Sequence, residues 1–220
     1  IHTGGVDHIP VHHTNEIAQS EAATGKKFVN YWMHENFLTF KGEKVSKSKG
    51  GLFTLNELGE RGFNPLIYRY FILTGSYRKP IDFSLEILNN SQTAYERLKN
   101  IIFLIKDDGK INSEYIEEFQ KALEDDINTP KALQVLWGLV RDNKADGKYR
   151  TIQKMDEIFG LDLLKREKVH VPEEVRDIVE EREKARKMKD WKKADILREK
   201  ITKFGFQVND TPDGWEIKKI

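Results

Sequence analysis

The feature that most restricts the fold is a series of four helical apolar patterns between residues 84 and 160. The longest predicts a helix from Ser84 to Lys106, with apolar side chains at helix-like spacings: Leu88, Ala94, Leu98, Ile102 and Leu104. Three shorter patterns follow over 113–125, 129–142 and 148–159, with Pro130 in a first turn and Gly160 after the last helix. Four consecutive helices of this kind predict an α-helical bundle.

The residues before this series mix helix and strand patterns. A helix is predicted from His12 to Thr24 with Gly25 as its C-cap, and a buried strand over Phe28–Met33. A hairpin is predicted where Phe37-Leu38-Thr39-Phe40 is followed by Lys-Gly-Glu. Two further helices are predicted, over 54–61 behind a capping box and from Pro65, the second with one apolar face formed by Leu66, Tyr70 and Leu73.

The residues after the series form a separate region. The charged segment Leu161–Val171 is interpreted as a linker. Beyond it, helices are predicted at 172–188 and 191–204, followed by strands at 206–210 and 214–218 around a turn signal. The sequence therefore predicts three parts, with boundaries 1–80, 81–168 and 169–220.

Composition excludes several classes of protein. Charged residues are 33% and hydrophobic residues 38% of the 220, which is polar yet globular, and there is no cysteine to form a disulfide. No apolar run approaches the ~20 residues that span a bilayer, so no membrane partner is expected. The Ile-His-Thr-Gly-Gly start has no signal-peptide features, and we expect a piece, or the ordered remainder, of a longer cytoplasmic chain.

The turn Gly4-Gly5-Val6-Asp7 is a candidate nucleotide-binding element. Glycines let the backbone approach a ligand closely, and open α/β sheets bind nucleotides at the carboxyl ends of their strands. Asp7 could there accept hydrogen bonds from ribose hydroxyls. The alternative is a tight turn in which Asp7 caps a helix.

The spacing of His12 and Glu16 makes them candidate metal ligands. Residues four apart share a helix face, as in helical zinc motifs. Two ligands do not complete a zinc site, so a His12–Glu16 hydrogen bond is the alternative. His8 and His13 lie nearby and could join a site, although neither shares that face at ideal spacing.

The segment Lys44-Val45-Ser46-Lys47-Ser48 is a candidate polyphosphate-binding loop. The ammonium groups of Lys44 and Lys47 could neutralise charge that develops on a triphosphate as pyrophosphate leaves. The alternative is a solvated basic hairpin tip. The turn, the His/Glu helix and this loop occur together, and that favours the functional interpretation.

Basic and aromatic residues cluster in the last region. The net charge of the chain is only +1, so RNA binding would have to come from a local patch. Aromatic rings among cations suit single-stranded RNA, whose bases stack on rings. Interspersed glutamates make a salt-bridged helix surface the alternative. The cluster comprises Arg182, Lys184, Arg186, Lys187, Lys189, Trp191, Lys192, Lys193, Arg198, Lys200 and Trp215.

These motifs, in this order, resemble those of the cysteinyl-tRNA synthetases, which are class I aminoacyl-tRNA synthetases. That family carries a segment like GGxDxxxxHHxNExAQSEA, and this chain reads GGVDHIPVHHTNEIAQSEA. The class I loop KMSKS stands here as KVSKS, with Val45 in place of Met. The similarity continues through Asp125–Leu133 (DDINTPKAL) and the patterns at Ala194-Asp195 and Asp210–Gly214, so it covers essentially the whole chain.

The resemblance implies a fold class. An α/β remnant of a class I nucleotide-binding fold (1–80, with the KMSKS-like loop) precedes a mainly α-helical bundle (81–168) and a small α+β anticodon-binding domain (169–220). The HIGH motif and two zinc-binding cysteines of the family are absent, and we expect them in an upstream half. This segment alone is therefore expected to be inactive.

The resemblance also implies an activity. It is formation of cysteinyl-adenylate from cysteine and ATP, with zinc and Mg²⁺ as cofactors, followed by transfer of cysteine to tRNA(Cys). Two alternatives are a ligase joining cysteine to an amino sugar in mycothiol synthesis and a stand-alone RNA-binding module. The implied roles are zinc ligands for His12 and Glu16, catalysis for Lys44 and Lys47, ATP binding for Gly5, Asp7 and Lys47, and contact with the substrate amino acid for His2.

Overall fold

The computed structural model describes residues 1–40, 43–44, 53–165, 172–211 and 214–219, and of residues 43, 44, 211, 216, 218 and 219 it describes the backbone alone. These residues form two compact units, Ile1–Leu164 and Lys165–Ile220. None of the helices within these ranges is long and apolar enough to cross a membrane. The three-part division at residues 80 and 168 stays a prediction.

The first unit begins with a parallel strand pair joined by a helical crossover. Strand β1 (His2–Gly5) pairs with β2 (Trp32–Glu35), with His2 opposite Trp32. A 3₁₀ turn (Val6–His8), a π-helical turn (Ile9–His13) and helix α1 (Thr14–Thr24) connect them.

Two predictions in this crossover need correction. Helical structure begins before His12, because the 3₁₀ and π-helical turns lead directly into α1. The strand predicted over Phe28–Met33 is wrong at its start, because pairing with β1 sets the strand at Trp32–Glu35. The predicted C-cap is confirmed, since Gly25 ends α1 with a φ of 65°.

A second, three-stranded sheet follows. Its central strand β3 (Leu38–Phe40) pairs antiparallel with β4 (Glu43–Lys44), which confirms the predicted hairpin. On its other side β3 pairs in parallel with β5 (Ile81–Asp82), a strand that the sequence did not predict.

Two short helices lie between β4 and β5. Helix α2 (Leu55–Glu60) starts behind the predicted capping box, since the Thr54 hydroxyl accepts from the Glu57 amide and the Glu57 carboxylate accepts from the Thr54 amide. Helix α3 (Pro65–Leu73) buries a different face from the one predicted. Its buried residues are Ile67, Tyr70 and Phe71, whereas Leu66 and Leu73 are half-buried.

The predicted bundle is present as four helices. They are α4 (Leu85–Ile102), α5 (Ser113–Glu124), α6 (Thr129–Arg141) and α7 (Lys148–Phe159). Helix α4 ends four residues earlier than predicted, and Leu104 is 83% exposed instead of packed. The predicted linker begins too early, because Leu161 and Leu163 are fully buried in the bundle core.

The second unit is the predicted helical hairpin followed by a β-hairpin. Helices α8 (Glu173–Lys187) and α9 (Trp191–Lys203) precede strands β6 (Phe206–Thr211) and β7 (Gly214–Lys219), which pair antiparallel. A small core joins the helices to the strands, and it consists of Val175, Val179, Ile201, Phe206, Val208 and Ile217.

Candidate metal and nucleotide site

The Gly-Gly turn and Asp7 lie at the carboxyl end of β1. Asp7 is exposed in the 3₁₀ turn directly after the strand. A Cβ atom on Gly5 would lie 2.5 Å from the Asp7 Oδ1 atom, and one on Gly4 would lie 2.7 Å from the His13 ring. Glycine at position 4 therefore lets the buried imidazole approach the strand this closely, whereas a Cβ atom on Gly5 would meet the end of the exposed Asp7 side chain, which can rotate away.

The Glu16 carboxylate lies among three imidazoles. The His2 Nε2 atom is 3.0 Å from Glu16 Oε2, and His13 Nε2 is 3.9 Å from the same oxygen. The His12 Nε2 atom is 3.7 Å from Glu16 Oε1. The structure thus brings the predicted pair His12 and Glu16 together and adds His2 from β1 and His13 from the π-helical turn.

His13 is the buried centre of this group. Its side chain is 5% exposed, and its Nδ1 atom is 2.8 Å from the Nε2 atom of His34. The Trp32 ring packs against His13 and stacks on His34 with an interplanar angle of 4°. The sequence analysis missed His34 and Trp32, although positions 32 and 34 share one face of a strand and period-two spacing could have found them.

These groups have the chemistry of a cation site. Burial, with the neighbouring imidazoles of His2 and His34, lowers the pKa of His13. A lowered pKa favours the neutral imidazole, which is the form that binds metals. One donor atom each from His2, His13 and Glu16 lies within 4.8 Å of the others, and nitrogen and carboxylate oxygen donors suit Zn²⁺.

The predicted phosphate-binding loop falls largely outside the described residues. Lys47 lies there entirely, and Lys44 is described only as a backbone position in β4. Their roles stay predictions.

The predicted basic cluster of the second unit is smaller than the sequence indicated. Arg182 is buried and donates two hydrogen bonds to the Asp210 carboxylate, at 2.9 and 3.0 Å, and Arg186 contacts the same carboxylate. Lys193 pairs with Glu181 at 2.7 Å. These cations hold the unit together, so they do not form a free basic surface.

An exposed remainder of the cluster surrounds Trp191. This side chain is 58% exposed at the start of α9. Nearby Lys189 and Lys192 are exposed and form no ion pair with any carboxylate in the described ranges. An exposed indole beside unpaired ammonium groups is an arrangement on which an unstacked base can pack.

Three protein-family models match separate parts of the chain. The model of the tRNA synthetases class I (C) catalytic domain matches residues 1–93. The DALR domain model matches 118–164, and the cysteinyl-tRNA ligase anticodon binding domain model matches 169–217. The chain belongs to the cysteinyl-tRNA synthetase family.

Individual relatives align along the whole chain. The cysteine–tRNA ligase 1 of Burkholderia lata is 44% identical over 221 residues, which is 99% of this chain and 47% of that protein. The cysteine–tRNA ligase of Methanosarcina acetivorans is 42% identical over all of this chain and 51% of its own length. The chain therefore spans about half the length of the curated relatives that it matches.

The DDINTP motif between α5 and α6 contacts the segment before β5. The Asp126 carboxylate accepts from the Tyr77 hydroxyl at 2.6 Å and from the Arg78 Nη2 atom at 2.9 Å. These hydrogen bonds lower the pKa of Asp126 to about 2. Asp126 and Ile127 adopt left-handed φ values of 55° and 53°, so the carboxylate is presented by an unusual backbone turn.

Proposed function

We propose that this chain is the portion of a cysteine–tRNA ligase that holds part of the catalytic site, the helical bundle and the anticodon-binding unit. The reaction joins the cysteine carboxylate to the α-phosphate of ATP with release of pyrophosphate, and the resulting cysteinyl-adenylate then transfers cysteine to tRNA(Cys) with release of AMP. The observation that carries this proposal is the Glu16 carboxylate lying among three imidazoles directly after a Gly-Gly-Val-Asp turn. The parallel pair β1–β2 is then the remnant of a class I nucleotide-binding fold.

His12 and Glu16 are the proposed zinc ligands of this chain. Their donor atoms lie 3.7 Å apart on consecutive turns, and nitrogen and oxygen donors fit zinc, so a small adjustment of the two side chains suffices. Bound zinc would supply a soft-ligand site that prefers a thiol to a hydroxyl. The His2 Nε2–H group donates to the Glu16 carboxylate and so orients it, beside the position proposed for the substrate amino acid.

The nucleotide is proposed to bind at the end of β1. Gly5 allows close backbone approach, and Asp7 accepts hydrogen bonds from the ribose. Lys44 and Lys47 are proposed to act on the triphosphate and its Mg²⁺ by neutralising charge in the transition state. The second unit is proposed to bind the anticodon of tRNA(Cys), with Trp191 as a stacking surface. A cytoplasmic location stays a prediction.

The test uses the full-length protein that contains this sequence. Glu16→Gln is expected to lower the zinc content and to remove the preference for cysteine over serine in amino-acid-dependent ATP–pyrophosphate exchange. Its matched control is Glu21→Gln, on the same helix but outside the imidazole group, which is expected to behave like wild type. Full zinc content and unchanged cysteine selectivity in Glu16→Gln would refute the proposed site.

A further inference from the structure

A groove of about 480 Å³ lies between α4 and α6. The residues along its two walls follow the spacing of a single helix face, three and then four residues apart, on both helices. They are Asn90, Thr93 and Arg97 from α4 and Gln134, Trp137 and Arg141 from α6. The polar side of each helix therefore faces the groove, while the apolar sides form the bundle core.

The groove is cationic. Among the described residues, both charged side chains that line it are arginines, and none of the lining side chains is a carboxylate. Neither Arg97 nor Arg141 forms an ion pair with a carboxylate in the described part of the chain, whereas Arg150 of the same bundle pairs with Asp107 at 3.1 Å. Both guanidinium groups are exposed and retain their donors for an anion.

One side of the groove is held in place by aromatic contacts. The Trp137 Nε1–H group donates to the Tyr70 hydroxyl at 3.0 Å, which fixes the indole against α3. The Arg141 guanidinium lies 4.5 Å from the centre of the Trp137 ring. This stacking orients the cation without consuming its hydrogen-bond donors, so Arg141 is prepared to bind an oxyanion.

The shape of the groove favours a polymer over a small ligand. A second depression shares Thr93 and Arg97 and extends to Asn100 and Leu104, so the cleft continues along α4, where the Glu96 carboxylate also lines it. The distance from Asn90 to Asn100 along a helix is about 15 Å. A small molecule would be mostly enclosed in its pocket, but an open channel that presents two arginines without an ion-pair partner in the described residues suits a chain of phosphates.

We infer that the α4–α6 groove is an RNA-binding site in which Arg97 and Arg141 contact backbone phosphates. Asn90, Thr93 and Gln134 then offer hydrogen bonds to ribose hydroxyls beside those phosphates. Contacts of this kind position an RNA without reading its sequence. The inference rests on the proposed function, because it takes the tRNA of the ligase reaction as the occupant.

The test is the binding of a tRNA(Cys) transcript to the 220-residue chain, measured by fluorescence anisotropy over a series of salt concentrations. The double variant Arg97→Gln/Arg141→Gln is expected to bind about tenfold more weakly at low salt. The slope of log K against log salt should fall by about 1 for each phosphate that the variant no longer neutralises. The weakening should be the same for a transcript with an altered anticodon.

Three controls separate this site from its alternatives. Arg150→Gln removes an ion-paired arginine from the same bundle and should bind within about twofold of wild type. Arg97→Lys/Arg141→Lys keeps the charge and should retain the salt slope. Excess ATP should not displace the transcript from the groove. If ATP displaces it from the wild-type chain but not from the double variant, the arginines line a nucleotide pocket, and the inference is overturned.

The outcomes distinguish the two proposals. If the wild-type chain binds the transcript and the double variant binds it equally well, the groove is not an RNA site, but the proposed function stands. If the wild-type chain does not bind the transcript, both the groove and the proposed tRNA contacts of this chain fail.

Discussion

Residues 1–40 and the bundle at residues 85–164 belong to one compact unit but are held together differently. In residues 1–40 the only side chains that are almost fully buried are His13 and Val29. Large apolar side chains in this segment remain exposed, among them Val11 at 64% and Tyr31 at 72%. The bundle, by contrast, encloses many apolar side chains completely, including Leu88, Leu98, Leu136, Ile152 and Phe159.

The difference shows that the candidate site residues lie in one segment, residues 1–40, whereas most of the buried apolar surface that stabilises the fold lies in the bundle. Hydrophobic stabilisation grows with the apolar area removed from water, so it is concentrated in the bundle. Leu38 and Phe40 pack against the hydrophobic core. The rest of residues 1–40 depends on strand pairing and on contacts among aromatic rings, which are those of His2, His13, Trp32 and His34. Binding segments are commonly drawn from the less stable parts of a protein, and we expect this one to open locally before the bundle does.

The largest expected effect is the difference in stability between two isoleucine-to-alanine variants, one in each region. Ile152→Ala in the bundle should lower the free energy of unfolding by about 2–5 kcal/mol, because Ile152 is fully buried and leaves a cavity. Ile17→Ala in α1 should cost less than about 1 kcal/mol, because Ile17 is only half-buried. Urea unfolding of the two variants measures both, and equal decreases would contradict the comparison.

Zinc should stabilise residues 1–40 selectively. A ligand at 100 times its Kd stabilises the state that binds it by about 2.7 kcal/mol. Hydrogen exchange of the full-length protein that contains this sequence should therefore show slower exchange in α1 on addition of zinc, with little change in α6. Glu16→Gln should remove the effect and Glu21→Gln should keep it. Protection that appears equally in both helices, or that survives Glu16→Gln, would argue against the site.

The close approach of Gly4 to His13 predicts a smaller, local effect. Gly4→Ala would place a methyl group 2.7 Å from the His13 ring, so the buried imidazole has to move, at a cost of about 1–3 kcal/mol. Gly59→Ala is the matched control, because Gly59 lies in α2 and its added methyl group would meet no atom within 4 Å. The control should be neutral or slightly stabilising in thermal unfolding, and equal destabilisation in both variants would rule out this explanation.

The smallest expected effect is the pH dependence of the turn that carries Asp126. Hydrogen bonds from Arg78 and Tyr77 lower the pKa of this carboxyl to about 2 in the folded chain. Because the folded pKa is depressed, the contribution of Asp126 is fully present above about pH 4 and fades as the pH falls towards about 2. The stability difference between wild type and Asp126→Asn should follow this course in urea unfolding.

Asp146→Asn is the control for that titration. Asp146 forms an exposed pair with Lys110 at 2.9 Å, and within the described ranges its carboxylate has no second donor comparable to Tyr77 at Asp126. Its removal should change stability less at neutral pH. A difference for Asp126→Asn that does not vary with pH would show that the turn is held by its backbone alone.

Local sequence signals predicted most of the elements. The capping box at Thr54 and Glu57, the cap at Gly25 and the bounds of α7 all depend on neighbours within a few residues, and the structure confirms them. Errors occurred where distant contacts decided the outcome. The start of β2 depends on pairing with β1, and the burial of Leu161 and Leu163 depends on their contacts with the bundle core.

In the candidate site, too, local signals were predictable and distant contacts were not. The motif around Asp7, His12 and Glu16 was visible because its members lie within one helical crossover. His34 was missed because it reaches His13 from another strand, 21 residues further along the chain.

The sequence by itself determined the family, through the resemblance of its motifs. It also determined most of the elements, including the helix that carries Glu16, because short-range periodicity and capping residues specify these. Only the tertiary structure decided which imidazoles surround that carboxylate and which cations remain free. Arg182 is buried against Asp210, whereas Arg97 and Arg141 line an open groove. The charge of an arginine is fixed by its covalent structure, but its availability depends on whether the fold brings a carboxylate within reach, which residue spacing along the chain does not record.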